Sequence, residues 1–230
     1  MSRPETLIFD LDGTLTDPYE GITRSYQHAR EQLGLDRLPD SDLRDMIGPP
    51  MQDVFLTLSG GNAGLVAEAI ALYRERYARV GLFENVVYPG IPEALTALAQ
   101  SYRLYVCTSK PTTFSVRILE HFDLAKYFAA IYGCELDGTR ADKRELMKWL
   151  LERERIDGSK AAMIGDRKFD IAAARANGVK PYGVLWGHGN EAELRAAGAV
   201  ALINAPGDLL ATFPAIPHNT TDPAYPVSST

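Results

Sequence analysis

The sequence predicts an α/β protein in which helices cover both faces of a parallel sheet and a small all-helical unit is inserted. Short, nearly continuous apolar runs recur along the chain, and amphipathic helical patterns separate most of them. Such runs are typical of strands buried in a parallel sheet. One long stretch, 16–85, interrupts this alternation with helical patterns and no convincing strand, which indicates a separate helical unit.

Six apolar runs are the predicted strands. In chain order they span 6–9, 104–107, 129–132, 161–164, 182–186 and 200–203, of which the third and the last are weaker. Helices between them are expected over about 112–122, 142–155 and 168–177. Asp142, with Glu145 three residues later, has the form of a capping box and marks the start of the second helix. Asn177-Gly178 predicts that the third helix ends in a left-handed turn.

The inserted stretch predicts how the chain divides into domains. It offers helices near 21–33, 40–46, 51–58 and 66–80. We therefore expect a core domain made of 1–15 and 86–213, a helical cap domain over 16–85, and hinges at 15–17 and 84–89. The tail 214–230 is rich in Pro, Thr and Ser and lacks periodicity, which predicts a loose segment.

The composition argues against several kinds of partner. The 230 residues carry a net charge of −6, which gives no electrostatic reason to expect nucleic acid as a partner, since such binding usually needs a basic patch. No apolar stretch approaches the ~20 residues of a membrane span, and the N-terminus lacks a signal-peptide pattern, so we expect a cytoplasmic protein without membrane contact. Cys107 and Cys134 lie in apolar runs and are expected to be buried thiols.

Polar side chains follow four of the predicted strands. Because ligands of open parallel sheets bind beyond the carboxyl ends of the strands, these ends are the expected place for a site. The groups are Asp10 and Asp12 after the first strand, Thr108, Ser109 and Lys110 after the second, Lys143 at the helix after the third, and Asp166 and Asp170 after the fourth.

These residue types suit phosphoryl transfer. A phosphate monoester repels an anionic nucleophile, so Mg²⁺ is needed to neutralise charge. Asp10 and Asp166 supply the hard oxygen ligands that Mg²⁺ prefers, and Asp170 is expected to act through water. The carboxylate of Asp10 can attack phosphorus to give an aspartyl-phosphate. Asp12 can protonate the leaving oxygen and later deprotonate the attacking water.

Other residues suit contact with the phosphate itself. Gly13 permits a sharp exit from the first strand and close backbone approach. Thr108 can donate its hydroxyl to a phosphoryl oxygen, and Lys143, expected at an exposed helix start, can neutralise the growing charge. Lys110 is the rival of Lys143 for that role, and Ser109 is a further candidate contact.

Four segments resemble the motifs of the haloacid dehalogenase superfamily, in the family's order and over residues 6–187. They are FDLDGTL at 9–15, Thr108-Ser109-Lys110, Lys143 and GDRKFD at 165–170. The resemblance implies a Rossmann-like core with strand order 5-4-1-2-3, a helical cap after the first motif, and a required Mg²⁺. It also implies that the backbone carbonyl of Asp12 is a ligand of the metal.

Within the superfamily, the residues favour hydrolysis of a phosphate ester. Asp12 stands where the dehalogenases lack an acid and the ATPases carry threonine. The phosphonate-cleaving branch needs a cap lysine, and 16–84 contains none. Phosphomutases share Asp12 and stay open as an alternative. A non-catalytic binding protein would be expected to have lost Asp10, Asp12 or Asp166, and a protein phosphatase would have to thread a bulky chain beneath the cap.

Two phosphatase branches are the main candidates for the substrate. The segments 108–111 and 136–143 resemble the branch of 5′-nucleotidases more, and so does Arg167, where many phosphoglycolate phosphatases place serine. We therefore predict nucleoside 5′-monophosphates as substrates, with phosphoglycolate as the alternative. The predicted partner is thus a small phosphate ester, and the chain could be a monomer or a homodimer.

The cap should present the residues that select the substrate. Gly48 opens a stiff Gly-Pro-Pro turn, placed where caps of this type hold a specificity loop. Tyr19, Arg24 and Arg44 are further candidates for contact with the leaving group, although each, taken singly, better fits a solvated helix face. His188, between two glycines, is interpreted as a loop residue near the site.

Overall fold

The computed structural model describes residues 3–44, 46–47 and 51–215. This part of the chain contains eight strands, β1 Thr6–Phe9, β2 Thr16–Asp17, β3 Val86–Val87, β4 Arg103–Pro111, β5 Ala130–Cys134, β6 Ala161–Gly165, β7 Lys180–Val184 and β8 Ala201–Ile203. Six of them form a parallel sheet in the order β5-β4-β1-β6-β7-β8. The other two, β2 and β3, pair with each other in antiparallel fashion.

The six strands of the sheet fall on the six predicted apolar runs. If only these strands are counted, β7-β6-β1-β4-β5 is the order 5-4-1-2-3 that the resemblance implies, and β8 extends one edge. The α/β fold is therefore confirmed. The main difference is that β4 runs to Pro111 and includes Thr108, whereas the sequence placed that residue after the strand. The register with β5 shifts between Thr108 and Pro111, which marks an irregularity at this end.

The central strand β1 is buried on both faces, as its continuous apolar sequence predicts. Leu7 and Phe9 join a cluster of apolar side chains on one face of the sheet. Ile8, between them, joins a second cluster on the other face. Because successive side chains of a strand point to opposite faces, this alternation fixes the two layers of helices that cover the sheet.

Ten α-helices occur in the described residues. They are α1 Tyr19–Gln32, α2 Asp40–Arg44, α3 Met51–Leu58, α4 Val66–Arg76, α5 Ile91–Leu98, α6 Thr112–His121, α7 Lys143–Glu154, α8 Lys168–Ala176, α9 Glu191–Ala197 and α10 Leu209–Thr212. Asp142 caps α7 by accepting the N–H of Arg144 at 2.9 Å, and Gly178 after α8 has φ +68°, as predicted. The sequence did not predict α5, α9 or α10.

The helix expected over 66–80 changes its geometry before it ends. After Arg76 it continues as a π-helix over Tyr77–Gly81, in which the N–H of Leu82 donates to the carbonyl of Tyr77 at 2.9 Å. Gly81 lies against α1, because a Cβ at Gly21 would collide with its carbonyl oxygen. Helical periodicity alone cannot distinguish this wider turn from a regular α-helix.

Helices α1, α3 and α4 pack around a group of aromatic side chains. Tyr26, Phe55 and Tyr73 have ring centroids between 5.1 and 5.6 Å apart. The chain leaves the sheet for these helices through β2 and returns to it through β3, and the two strands pair with each other. Each has two residues and is too short to give a sequence pattern. These helices occupy the stretch interpreted as a cap, and the division into domains with its boundaries stays a prediction.

Two expectations concern the cysteines and the membrane. Cys107 and Cys134 are buried free thiols, as predicted. No single helix in the described ranges is long and apolar enough to cross a membrane. The pair Gln52–Leu58 and Ala63–Gly81 meets the length and hydropathy criteria together only across a bend of 114°.

Candidate active site

Three carboxylates meet at the ends of β1 and β6. Asp10 follows β1, Asp166 follows β6, and Asp170 lies in the first turn of α8. The backbone N–H of Asp10 donates to the carbonyl of Ile164 on β6 at 2.9 Å, which holds Asp10 beside that strand. The three residues are 8%, 0% and 1% exposed, and one oxygen of each carboxylate lies within 4.8 Å of the others.

Lys143 lies against this cluster and is only 6% exposed, so the expectation of an exposed helix start is wrong. Its Nζ lies 2.8 Å from Asp10 Oδ1 and donates to Asp170 Oδ1. Burial alone would lower the pKa of Lys143, but the charges of Asp10 and Asp170 raise it above its ordinary value. The two carboxylates therefore compensate the lost hydration of the buried ammonium.

Backbone groups hold the other two carboxylates in place. Asp166 Oδ2 accepts the N–H of His188 at 2.8 Å, and Asp170 Oδ2 accepts the N–H of Arg167 at 2.9 Å. Gly13 comes close to the same site, because its φ is +82° and a Cβ there would collide with Asp166 Oδ2. Position 13 therefore requires glycine both for its backbone and for its lack of a side chain.

The carboxylate cluster fits a divalent cation that prefers oxygen ligands. Three carboxylates facing the single ammonium of Lys143 leave two formal negative charges in a buried space. Asp166 Oδ1 has no hydrogen-bond partner among the described residues. Asp10 Oδ1 lies 2.8 Å from Lys143 Nζ, the ammonium that it shares with Asp170. Such hard oxygens, short of positive charge, match the preference of Mg²⁺.

The pKa values of two carboxyls in the cluster reflect the same shortage of positive charge. Burial, followed by the charges of Asp170 and Asp10, raises the pKa of Asp166 well above its ordinary value. Burial and the charge of Asp10 raise the pKa of Asp170 to about 6, against the opposite effect of Lys143. A bound cation would oppose both shifts, because it favours the ionised carboxylates.

Asp12 is not part of this triad and pairs with Lys110 instead. Lys110 Nζ donates to Asp12 Oδ1 at 2.9 Å and lies 2.7 Å from Oδ2. It also donates to the hydroxyl of Tyr77 in the π-helix. Burial raises the pKa of Asp12, and the charge of Lys110 opposes this rise. Of the two lysines weighed for the phosphate, Lys143 is therefore the one that contacts Asp10.

The predicted core residues share one cleft of about 90 Å³. Its lining includes Asp10, Asp12, Thr108, Ser109, Lys110, Lys143, Asp166 and Asp170. The volume is well below the roughly 300–1,000 Å³ of a typical small-molecule site. The enclosed space therefore suits the phosphoryl end of a substrate, with the rest of the substrate outside it.

Two of the residues that the sequence proposed as cap contacts do not line the cleft as the described residues form it. The stretch 16–85, which we call the helical segment, contributes Ile22 of α1 and Ile47 to the cleft, and neither was predicted. Tyr19 and Arg24 are not among the described residues that line it. Arg24 is exposed and pairs with Glu84 at 3.0 Å, so its predicted contact with substrate would require a movement of this side chain.

Two further candidates, Arg44 and Gly48, lie partly or wholly outside the described residues. Arg44 ends α2, and its side chain, like the whole of Gly48, lies outside the described residues.

Arg167, next to Asp166, donates from Nη1 to the carbonyl of Ile47 at 2.8 Å and from Nε to Glu193 Oε1 at 2.9 Å. The contact with Ile47 was not predicted.

Some of these residues had a signal in the sequence and others did not. The two glycines around His188 are such a signal, since a Cβ at Gly187 or Gly189 would collide with Asp166 or with the backbone beside it. Tyr77 had none, because a single tyrosine in a helical pattern indicates only a core position. Its contact with Lys110 joins residues 33 positions apart.

Comparison with known proteins places this chain in a family. The sequence profile described as haloacid dehalogenase-like hydrolase matches residues 7–184. A protein of Pseudomonas aeruginosa named 5′-nucleotidase is 48% identical over 84% of this chain and 88% of its own length. The tyrosine-protein kinase PtkA of Mycobacterium tuberculosis is 37% identical over 81% of this chain and 64% of its own length. A phosphoglycolate phosphatase of Vibrio parahaemolyticus is 27% identical over 89% of this chain and 93% of that protein.

The fold agrees with these sequence similarities. The crystal structure of "a predicted phosphatase" from Clostridium acetobutylicum matches with a TM-score of 0.86 at 39% identity, over 92% of this chain and 98% of that chain. The family match covers more than half of the chain and contains every motif residue named above. The chain therefore belongs to the haloacid dehalogenase-like hydrolases, and within them it is a phosphatase, a hydrolase of phosphoric monoesters.

Proposed function

We propose that the chain is a Mg²⁺-dependent phosphatase that forms an aspartyl-phosphate on Asp10 and acts on nucleoside 5′-monophosphates. The observation that carries the mechanism is the buried cluster of Asp10, Asp166 and Asp170 with Lys143 in the same cleft. These three carboxylates, with the backbone carbonyl of Asp12, would hold the ion. When bound, Mg²⁺ supplies charge neutralisation and orients the phosphate.

In the first step, a carboxylate oxygen of Asp10 attacks phosphorus as the bond from phosphorus to the ester oxygen breaks. Lys143, held in place by Asp170, offsets the negative charge on the phosphoryl oxygens. Thr108 donates its hydroxyl to one of these oxygens. Burial raises the pKa of Asp12, which favours the protonated acid, and this acid gives its proton to the departing ester oxygen so that the alcohol leaves without charge.

In the second step, water attacks the phosphorus of the aspartyl-phosphate. Asp12, now a carboxylate, accepts the proton of that water as the bond between phosphorus and Asp10 breaks. Inorganic phosphate leaves, and both aspartates return to their starting states. One residue thus serves as acid and then as base, which requires that Asp12 stay close to the reacting oxygen in both steps.

The choice of a nucleotide rests on similarity and on the lining of the cleft. The relative named 5′-nucleotidase shares 48% identity with this chain. The cleft also borders the apolar side chains of Ile22, Ile47 and Phe169. Among the described residues that line it, the cations Lys110, Lys143 and Arg167 are each already paired with a carboxylate. A glycolate carboxylate would need a cation that is free to bind it, whereas an uncharged nucleoside would not.

Phosphate release from purified protein tests this proposal. We expect hydrolysis of nucleoside 5′-monophosphates in Mg²⁺, loss of activity in EDTA, and a kcat/KM for phosphoglycolate at least about tenfold lower, the change that 1.4 kcal/mol gives. Asp10→Asn should lose at least about a thousandfold in kcat. Asp36→Asn, at an exposed site on the helical segment, is the control and should keep wild-type activity.

Each arm of this experiment can refute a separate part of the proposal. Full activity of Asp10→Asn would exclude the covalent step, and full activity in EDTA would exclude the metal. A preference for phosphoglycolate would replace the nucleotide as substrate. Transfer of phosphate from ATP to a tyrosine peptide, as the name of the relative PtkA suggests, would replace hydrolysis.

We further propose that the chain acts in the cytoplasm on small phosphate esters, without nucleic acid or membrane as a partner. The acidic net charge of −6 supports the first exclusion. Size-exclusion chromatography with light scattering would distinguish a monomer from a homodimer, and binding to a DNA or vesicle resin would contradict the proposal.

A further inference from the structure

Lys110 connects the predicted acid–base residue to the helical segment. Its Nζ donates to Asp12 Oδ1 at 2.9 Å, lies 2.7 Å from Oδ2, and donates to the Tyr77 hydroxyl. An ammonium has three protons to donate and no lone pair. The two carboxylate oxygens and the tyrosine oxygen therefore surround the donors of Lys110 and hold its flexible chain in one direction.

Tyr77 is itself fixed from both sides. Its ring stacks on Tyr73 of α4 with centroids 5.2 Å apart and planes 12° apart, and it meets the edge of Phe114 on α6 at 5.8 Å. Lys110 Nζ also lies 4.9 Å from the centre of the Tyr77 ring. Tyr77 is 1% exposed, so its hydroxyl lies in a packed environment where a hydrogen bond restricts movement strongly.

The burial of this network restricts what Lys110 can do. Lys110 is 9% exposed, and its ammonium contacts both carboxyl oxygens of Asp12. This ammonium is therefore engaged with the predicted acid–base residue and with the hydroxyl of Tyr77. Lys143, by contrast, lies beside Asp10, the predicted attacking group. The two lysines therefore have different neighbours and different tasks.

We propose that Lys110 and Tyr77 are positioning residues that orient Asp12 toward the ester oxygen, an inference that rests on the proposed acid–base role of Asp12. Tyr77 anchors the ammonium, and the ammonium sets the direction of the carboxylate. Because Tyr77 belongs to the π-helix and Lys110 to β4, Asp12 is held in its working direction only when these two elements are packed together.

Substrates with different leaving groups distinguish positioning of an acid from binding of phosphate. A p-nitrophenolate leaves without a proton, whereas the alkoxide of β-glycerophosphate requires one. The ratio kcat/KM reports the steps up to cleavage of the ester bond. A defect in Asp12 should therefore reduce kcat/KM for the alkyl ester alone, and loss of a phosphate ligand should reduce it for both esters.

We expect Tyr77→Phe to lower kcat/KM for β-glycerophosphate about fivefold to twentyfold, a part of the 10²–10⁴ that a general acid contributes, and to change the value for p-nitrophenyl phosphate less than about twofold. Lys110→Met should show the same selectivity with a larger loss. Tyr73→Phe removes a hydroxyl from the same aromatic stack and is the matched control, so both esters should react as with the wild type.

A double-mutant cycle completes the test. In the Asp12→Asn background, Tyr77→Phe should cause no further loss for the alkyl ester, because residues that act through one another are not additive. Thermal melts show whether each variant is folded, and Tyr77→Phe preserves the ring if Lys110→Met does not fold. Equal losses for both esters, no loss for either, or additive losses would overturn the positioning role.

The cycle also separates this inference from the proposed function. If Asp12→Asn shows no selective loss for the alkyl ester, the acid–base role of Asp12 is wrong and the inference falls with it. If Asp12→Asn shows that loss and Tyr77→Phe does not, only the positioning role is wrong. Both esters are general probes, so the result does not depend on the nucleotide specificity.

Discussion

Gly13 shows how closely the backbone approaches the carboxylate cluster of Asp10, Asp166 and Asp170. The residue has φ +82°, and the space where a Cβ would lie is filled by the carboxylate of Asp166. Gly34 has a similar φ of +70° and no atom within 4 Å of a Cβ placed there. These two glycines therefore separate the cost of a left-handed backbone from the cost of a collision.

We predict that Gly13→Ala and Gly34→Ala differ in both stability and activity. Gly34→Ala should cost about 1–2 kcal/mol in the free energy of unfolding, the penalty of the left-handed conformation. Gly13→Ala should cost about 1–3 kcal/mol more because of overpacking, and it should also lose activity, since Asp166 must move. Urea unfolding and phosphate release measure these effects. Equal values for the two variants would show that Asp166 yields freely.

Among the elements, the start of α8 joins the carboxylate site to the helical segment through Arg167, the residue that precedes this helix. Its guanidinium donates to the carbonyl of Ile47, which lines the cleft, and to the carboxylate of Glu193 in the first turn of α9. Arg175, on the same helix, makes a comparable bond to the carbonyl of Ala197 at 2.9 Å. Arg175 is not among the described residues that line the cleft.

We predict that Arg167→Ser raises KM for the substrate about threefold to tenfold, because the loss of one or two hydrogen bonds near 1 kcal/mol each releases the segment that contains Ile47. Arg175→Ser is the control on the same helix and should leave KM unchanged. Steady-state kinetics with a nucleoside monophosphate gives both values. The same KM for both variants would mean that the bond to Ile47 does not hold the cleft.

Where the chain returns from the helical segment to the sheet, Glu84 pairs with two arginines. Arg76 donates to both carboxylate oxygens, at 2.8 and 3.0 Å, and Arg24 donates to one of them at 3.0 Å. The hydrogen bonds from Arg76, opposed by partial burial and aided by Arg24, lower the pKa of Glu84 below its ordinary value. A lowered pKa in the folded state means that the ionised form stabilises the fold.

We predict that Glu84→Gln lowers the free energy of unfolding by about 0.5–1 kcal/mol at pH 7, as expected for a partly exposed ion pair. The contribution is complete above the unfolded pKa of about 4.3 and is lost as the pH falls through the lower folded value. The difference between wild type and variant should therefore shrink below pH 4.3. Urea unfolding at several pH values measures it, with Glu31→Gln at an exposed pair as control. A difference independent of pH would contradict the assignment.

For the whole molecule, the sequence predicted the sheet well and the short elements poorly. Strands such as β1 are buried on both faces, so their apolar runs are continuous and easy to recognise. The ladder of β2 with β3 and the short helix α10 depend on what packs against them. The π-helix was missed for the same reason, because it forms where Gly81 meets Gly21 of α1.

The candidate site was predicted as a set of residues and not as a set of contacts. The groups at strand ends are local in sequence, so Asp10 and Asp166 could be named from the runs before them. The burial of Lys143 and the pairing of Lys110 with Tyr77 arise between segments far apart in the chain. Periodicity gives no information on such pairs, whose geometry is decided by packing.

The balance of charge in the carboxylate cluster would connect the stability of the protein to binding of a cation. Asp10, Asp166 and Asp170 face one ammonium in a buried site, and burial raises the pKa of two of the carboxyls. Charges that lack compensation in a low-dielectric interior destabilise the fold. A ligand that binds only the folded state contributes about 2.7 kcal/mol at a concentration of a hundred times its Kd.

We predict that Asp166→Asn is more stable than the wild type in EDTA by about 1–3 kcal/mol, because it removes one uncompensated buried charge, and that it loses most of the stabilisation by Mg²⁺. Urea unfolding with EDTA or saturating Mg²⁺ measures both effects. Asp53→Asn on the exposed side of α3 should behave as the wild type. A variant that is less stable in EDTA, or equally stabilised by Mg²⁺, would show that the cluster is structural and does not hold the ion.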